Sequence, residues 1–398
     1  KKDDEGGNTA DEETTKQTDA AKGKSGSNGL STPTAGDQVD DANDTAAGQT
    51  SNPGGQGGTA ENASSQQEGG SVRVAAAIGG AVIRPTVTAL IGAGVSVDAS
   101  GLVRVAATND ADAATLATGL AYASDADTAV GAAVAVNYGD LVNTATIGAG
   151  ANVTAGSVQV EAGSTAGQSN DFSAIALAGG GSTQDEEGQS TTGAAGAAGV
   201  NVIVSHTTAT IADAAVVNAT AGDVDVLARR DLGIQNIAGG GALTTSDAGK
   251  SIGLAIGVNY VESTTDASIG SLADVTASQN VTVTADAAIL PTEIVLPLID
   301  GTGVKVTTMV AGAALTTGSG NNDDNSGWSV AGSAAIDIFA TTTHATIGAG
   351  ADVTAGSDVE VRAMDDTEIT TFAGALAFSL EGKGIGIGLD VTVLTKDT

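Results

Sequence analysis

Few residues in this chain have the types and spacing to do chemistry. There are two histidines, His206 and His344, and no cysteine. His206 lies five residues before Ile211, and His344 three residues before Ile347, so they occupy different registers of a repeated sequence. Neither has neighbours at metal-ligand spacing or in a Ser-His-Asp order, and both are expected on a strand surface or at a corner. Gly382-Lys383-Gly384-Ile385-Gly386 is Gly-rich but lacks the order of a phosphate-binding loop, and it reads as a turn into a strand.

Carboxylates are the abundant reactive groups. They gather in Ser124-Asp125-Ala126-Asp127, Asp185-Glu186-Glu187, Ser246-Asp247 and Asn321-Asn322-Asp323-Asp324-Asn325. Ca²⁺ takes six to eight oxygen ligands, so Asp323 and Asp324, and then Asp185, Glu186 and Glu187, are the candidate ligands. None of these loops has the EF-hand order, and the ordinary reading of each is a solvated charged tip. Carboxylate pairs for glycoside hydrolysis must face one another across a sugar. Polysaccharide enzymes also offer aromatic platforms, and this chain has one Trp, three Tyr and four Phe. Trp328, beside the longest acidic loop, is the one aromatic to weigh as a glycan contact, against packing at the loop base.

The elements that carry these loops repeat. An Asn or Asp between apolar residues precedes an Ile by ten residues four times: Asn137 and Ile147, Asn201 and Ile211, Asn259 and Ile269, Asp337 and Ile347. A fifth Ile of this kind stands at 91. The Ile spacings are 56, 64, 58 and 78, and the variation falls mostly in the acidic loops. Insertions at one register of a repeat array project from one side. After each Ile come alternating stretches such as Val158, Val160 and Ala162, the period-two mark of a strand with one buried face. In a strand, Asn137 shares a face with Ala133 and Ala135. Asparagines stacked along an axis make a hydrogen-bonded ladder. A coil with three short rungs per repeat would separate them, however, and then each sits on a solvated face or at a corner.

Composition sets further bounds. Aromatics are 2% and glycines number 57, so the interior must be filled by Ala, Val and Ile in thin, closely stacked sheets. The net charge of −32 repels nucleic acid and anionic membrane surfaces, and no apolar run reaches membrane-helix length. Residues 1–70 hold only Leu30 and Val39 among large aliphatics and read as a low-complexity, flexible or irregular segment. The opening at Lys1 and the strand-like Leu389–Leu394 suggest a segment of something longer. One stretch breaks the pattern: residues 285–309 carry Pro291, Pro297 and the densest large aliphatics, Ile294 and Leu296 among them. It reads as an irregular segment packed on the flank, or as an apolar contact site for a neighbouring chain or domain.

A unit of about 60 residues with a strand every 8 to 12 fits a β-solenoid. With about 20 residues per rung, residues 71–398 make on the order of 16 rungs and a rod of about 75–80 Å. A layout in which the strands around each acidic loop form a projecting hairpin is the alternative.

The blocks A-T-I-G-A-G-A-N-V-T-A-G-S-V-Q-V-E-A (145–162) and T-I-G-A-G-A-D-V-T-A-G-S-D-V-E-V-R-A (346–363) resemble repeats of giant haemagglutinin-like and autotransporter-type bacterial surface adhesins. The likeness covers most of residues 86–398. It implies an all-β, right-handed parallel β-helix with projecting acidic loops, secreted to the bacterial surface. The implied role is non-enzymatic, in adhesion or presentation. The implied partners are other copies of the chain, adjacent repeats, or a host-cell, neighbouring-cell or glycan ligand. The alternatives are a self-assembling extracellular fibre and, from another class, a β-helical polysaccharide-active enzyme.

Overall fold

The computed structural model describes residues 60–65, 72–123, 127–183, 190–246, 248–295, 303–317, 327–380 and 382–398. All of them belong to one compact unit, Gly54–Gln66 with Ser71–Thr398. Every regular element among them is a strand. The first repeat supplies β1 (Ala60–Ser65), β2 (Val72–Ile83), β3 (Thr86–Ile91), β4 (Ser96–Asp98), β5 (Leu102–Asn109) and β6 (Ala113–Ala123). The second supplies β7 (Thr128–Ile147), β8 (Asn152–Ala155), β9 (Ser157–Ser164) and β10 (Asn170–Ser182). The third supplies β11 (Thr192–Ile211), β12 (Val216–Ala219) and β13 (Val224–Thr244). The fourth supplies β14 (Lys250–Ile269), β15 (Asp274–Ala277), β16 (Val281–Val295), β17 (Gly303–Val306) and β18 (Thr308–Thr316). The fifth supplies β19 (Trp328–Ile347), β20 (Asp352–Ala355), β21 (Val359–Thr367) and β22 (Thr371–Ser379), and β23 (Lys383–Asp397) follows.

Each repeat feeds three sheets. The long-strand sheet runs β2-β7-β11-β14-β19-β23, with β3 also on β7. The short-strand sheet runs β20-β15-β12-β8-β4, and an eleven-stranded third sheet takes the remaining strands. The ladders between repeats are parallel and keep one register: Ile91, Ile147, Ile211, Ile269 and Ile347 are successive partners. The expected stacking every 20 or so residues is therefore replaced. A strand's partner lies one whole repeat away, because each repeat spends 20 residues on a single strand of the long-strand sheet. Such a strand spans up to about 65 Å, whereas the six stacked positions of that sheet cover only about 24 Å, not 75–80 Å.

The interior is graded along the strands. Near the Ile column three sheets meet, and Val and Ile fill the space: Ile147, Val153, Val158 and Val160 with their counterparts form one buried cluster. Further from it Phe172, Ile203, Leu232 and Phe339 form a second. Farther still alanines predominate, such as Ala133, Ala176 and Ala197, with Val310 among them. Beyond them the long-strand and third sheets touch backbone to backbone. A Cβ on Gly180 would lie 2.0 Å from the Ala194 carbonyl oxygen, and one on Gly253 would lie 1.8 Å from that of Ala313. The Ala- and Gly-rich composition is thus the filling of a tapering space.

Two expectations change here. Ala60–Ser65 fell in the low-complexity segment by composition, yet it pairs parallel with β6, through main-chain bonds that need no large side chains. Where residues 285–309 are described they are paired strands rather than an irregular segment: β16 continues through Pro291, and its end pairs antiparallel with β17, Thr292 opposite Val306. The last β16 residue paired with β21 is Ile289, so Pro291 stands where that edge no longer needs its N–H.

Candidate functional site

The repeated Asn and Asp residues converge on one buried column. Asn137, Asn201, Asn259 and Asp337 are successive partners in the long-strand sheet, and all four are 0% exposed. Asn137 Nδ2 donates to Asn201 Oδ1 at 2.9 Å, Asn201 Nδ2 to Asn259 Oδ1 at 2.9 Å, and Asn259 Nδ2 to Asp337 Oδ1 at 2.8 Å. The solvated-face reading of these residues is overturned. Whole-repeat pairing puts them on adjacent strands, and the inward parity they share with Ala133 and Ala135 buries them.

The ladder has a direction and two ends. The second amide proton of Asn137 goes to the Ser173 carbonyl at 2.7 Å, and that of Asn201 to the Gln235 carbonyl at 2.8 Å. Asn259 gives its second to Thr308 Oγ1 at 2.7 Å. At one end Thr115 Oγ1 donates to Asn137 Oδ1, and the strand position before Asn137 is Ala81. At the other end Asp337 only accepts: Thr308 Oγ1 reaches its Oδ1 and Thr371 Oγ1 its Oδ2, both at 2.7 Å. Aligned amide dipoles thus terminate on a carboxylate, the arrangement in which each bond strengthens the next.

Sequence reasoning missed the opposing column. Thr115, Ala174, Asn236, Thr308 and Thr371 are successive partners in the third sheet. Asn236 Nδ2 donates to the Gly199 and Val258 carbonyls, both at 3.0 Å. The signal was present as Thr or Asn at an inward parity within Ala- and Gly-rich strands, but it carries no fixed offset from the Ile anchors.

A second polar feature faces outward. Asp223, Asn280 and Asp358 form one cluster beside Asp225, Thr282 and Glu360, and together they line a shallow cleft. Its carboxylates are partly spent on their neighbours: Asp223 Oδ1 accepts from the backbone and side-chain nitrogens of Asn280, both at 2.9 Å, and Asp225 Oδ1 accepts from Thr282 Oγ1. Among the described residues no group of three or more His, Asp or Glu is placed to hold a metal ion. The proposed Ca²⁺ ligands Asp185, Glu186, Glu187, Asp323 and Asp324 lie outside the described residues, as does Leu296. Ile294 pairs with Val304 in the antiparallel pair.

The remaining candidates do not converge. Trp328 opens β19, half-buried between its strand partners Lys250 and Lys383. His206 and His344 stand in different columns of the long-strand sheet; His344 Nδ1 lies 3.7 Å from Asp266 Oδ1 and its Nε2 lies 3.7 Å from Asp397 Oδ2. Burial raises the Asp266 carboxyl above its ordinary value, with His344 and His206 opposing. Burial also raises Asp171 and Asp231.

No family model, curated protein or solved structure matches this chain.

Proposed function

We propose that the chain is a non-enzymatic, load-distributing scaffold: a flattened, right-handed parallel β-helix belonging to a large secreted bacterial surface protein, serving adhesion or presentation. The observation that carries this reading is the register. Repeats that differ in length by up to 22 residues, in spacings of 56 to 78, still align Ile on Ile, and Asn137, Asn201, Asn259 and Asp337 on one another. The length differences are absorbed in excursions such as the β16–β17 pair. A design that conserves the stack and varies the excursions is that of a display scaffold. Right-handedness is supported by the general preference of parallel crossover connections. The surface location and the adhesive role rest on the sequence resemblance alone.

Glycan-array and cell-binding measurements on the purified chain, run beside a reducing-sugar assay on polysaccharides, test this. Saturable glycan or cell binding without turnover is expected. Turnover that survives repeated purification would contradict it.

A self-assembling fibre is the second reading, and one observation favours it. Among the described strands β23 pairs with β19 alone, and it exposes Ile385, Ile387 and Leu389 at 55%, 65% and 52%. Such an edge takes a further parallel strand, from a following repeat or from another copy. Electron microscopy showing long filaments at micromolar concentration would favour the fibre, and short single particles the scaffold.

A further inference from the structure

The outward side of the long-strand sheet is divided in two. Towards the Ile column its positions are mostly polar: Thr144, Thr208, Asp266 and His344 are strand partners there. The other half is apolar throughout. Five successive outward positions, Val130 to Tyr138 in β7 and Ile252 to Tyr260 in β14, align across β2, β7, β11, β14, β19 and β23. Every one of them holds Val, Ile, Leu, Ala, Gly or Tyr. Leu254 and Ile256, near the centre, are each 46% exposed. The two tyrosines stand in the last row with their polar surroundings at the border: Tyr260 Oη donates to Glu262 Oε2 at 3.0 Å, and the Arg84 guanidinium lies 5.0 Å from the centre of the Tyr138 ring.

Outward positions of these strands can be polar, so the apolar half is not imposed by the fold. At the usual spacings it measures about 26 Å along the strands and about 24 Å across them, on the order of 600–650 Å². The largest apolar patch of an ordinary monomer is about 300–600 Å². Two such faces pressed together bury about 1,200–1,300 Å², enough for a specific dimer. The outer face of the third sheet is less suited: Thr118, Ser173 and Gln235 interrupt it, and glycines such as Gly179 and Gly239 hollow it.

We propose that this face is the interface between two copies of the chain, packed sheet on sheet about a two-fold axis that runs across the strands. The borders of the patch choose the partner and the orientation. Lys250 and Lys383 stand in the row before it, and Asp140 and Glu262 in the row after it, with Arg84 over Tyr138. In β14, Lys250 and Glu262 are equally far from Ile256 along the strand. A two-fold axis at Ile256 therefore sets Lys250 of each copy opposite Glu262 of the other and runs the strands antiparallel. The acidic loops that precede β11 and β14 then lie at opposite ends of the pair. A lipid surface is the poorer occupant. It would strand the unpaired main-chain groups of β2 and β23, which end the described sheet, and a net charge of −32 repels anionic headgroups. Nothing in this inference depends on the scaffold role, and the pairing is closed, unlike strand addition at β23.

The test is sedimentation equilibrium on the full chain, which is expected to be a dimer at micromolar concentration. Ile256→Asp places two carboxylates at the axis and should weaken the dimer by about 100-fold or more, with the circular dichroism spectrum unchanged because the side chain faces outward. Lys250→Glu and Glu262→Lys should each weaken it several-fold, and the two together should restore it. A monomeric wild-type chain overturns the proposal, whether free or bound to phosphatidylcholine vesicles. So does a dimer that Ile256→Asp leaves intact, a filament in place of a dimer, or a double charge reversal that restores nothing. Glycan and cell binding are read separately and bear only on the scaffold reading.

Discussion

Asn259 Nδ2 donates to Asp337 Oδ1 at 2.8 Å, joining residues 78 positions apart in a region where both side chains are wholly buried. This bond ends a run of three amide-to-oxygen bonds that all point the same way, and it fixes which repeat stacks on which. A one-residue slip would turn every inward side chain of the strand outward. A two-residue slip would set an amide against Ala, Gly or a large apolar residue such as Ile203, Val261 or Phe339. Either leaves buried donors without acceptors.

The cost of breaking this column depends on where it is broken. Asn201→Leu takes the acceptor from Asn137 and the side-chain donor from the Gln235 carbonyl, and leaves Asn259 Oδ1 only its 3.2 Å bond from Asn236, so a loss of about 3 kcal/mol is expected in urea unfolding. Asp337→Asn keeps an acceptor for Asn259, and the Thr371 hydroxyl can turn to accept from the new amide. It should cost less than about 1 kcal/mol. Equal losses for the two variants would argue against a directed ladder.

The backbone contact between sheets makes a sharper contrast. A Cβ on Gly180 meets the backbone oxygen, carbon and nitrogen of Ala194 at 2.0, 2.6 and 2.8 Å, none of which can swing aside. Gly196 lies nearby in β11 with nothing within 4 Å of its Cβ position. Gly180→Ala should destabilise by about 3 kcal/mol or prevent folding. Gly196→Ala should be neutral or slightly stabilising, since it restricts the unfolded chain. Urea midpoints of the two variants read this directly.

The turns after the Ile column carry local strain at two repeats. Gly94, Gly150 and Gly350 take positive φ of 68°, 64° and 73°, and the equivalent residues Ala214 and Leu272 are held at 55° and 58°. A side chain costs about 1–2 kcal/mol in that region. Ala214→Gly should therefore raise stability by roughly 0.5–1 kcal/mol, while Gly150→Ala lowers it by a similar amount. Thermal midpoints moving in the same direction for both variants would exclude strain as the cause.

Acidification should stabilise this protein before it harms it. Burial raises the carboxyls of Asp171, Asp231 and Asp266 above the ordinary value of 3.8. A raised folded-state acid contributes stability that is present below its unfolded value and lost as pH rises through the folded one. Asp365 has the opposite sense: burial acts to raise it, but hydrogen bonds from Thr341, Thr367 and Lys396 prevail, so its contribution holds above pH 3.8 and is lost below. Lowering the pH from 7 toward 3.8 thus recovers stability from the first three, while the fourth is lost only below that value. Relief of the net charge of −32 adds to it. Calorimetry should give a melting temperature that rises as the pH falls from 7 toward about 4, with a smaller rise in Asp231→Asn; a fall over that range would contradict this.

Strand class, repeat boundaries and the Ile anchors were legible in the sequence because period-two alternation and fixed spacing report local geometry directly. The coil size was not. A unit of about 60 residues with a strand every 8 to 12 suggested about 20 residues per rung, but Val136 through Ile147 continue one strand without a corner. That misjudgement also misplaced the Asn residues, since their burial follows from which repeat stacks on which. Arg230 gave no signal either: in V-D-V-L-A-R-R-D two adjacent arginines look alike, and only strand parity sends Arg229 outward and Arg230 in.

Whole-repeat stacking is tested most directly by crosslinking in a chain that has no cysteine of its own. Thr210 and Ser268 are strand partners whose hydroxyl oxygens lie 3.0 Å apart. Thr210→Cys with Ser268→Cys should form a disulfide under mild oxidation. Thr210→Cys with Asp266→Cys, two residues off register and about 8 Å apart, should not, because a disulfide does not span that gap. Failure of the first pair, or equal bridging by the second, would contradict the register on which this structure rests.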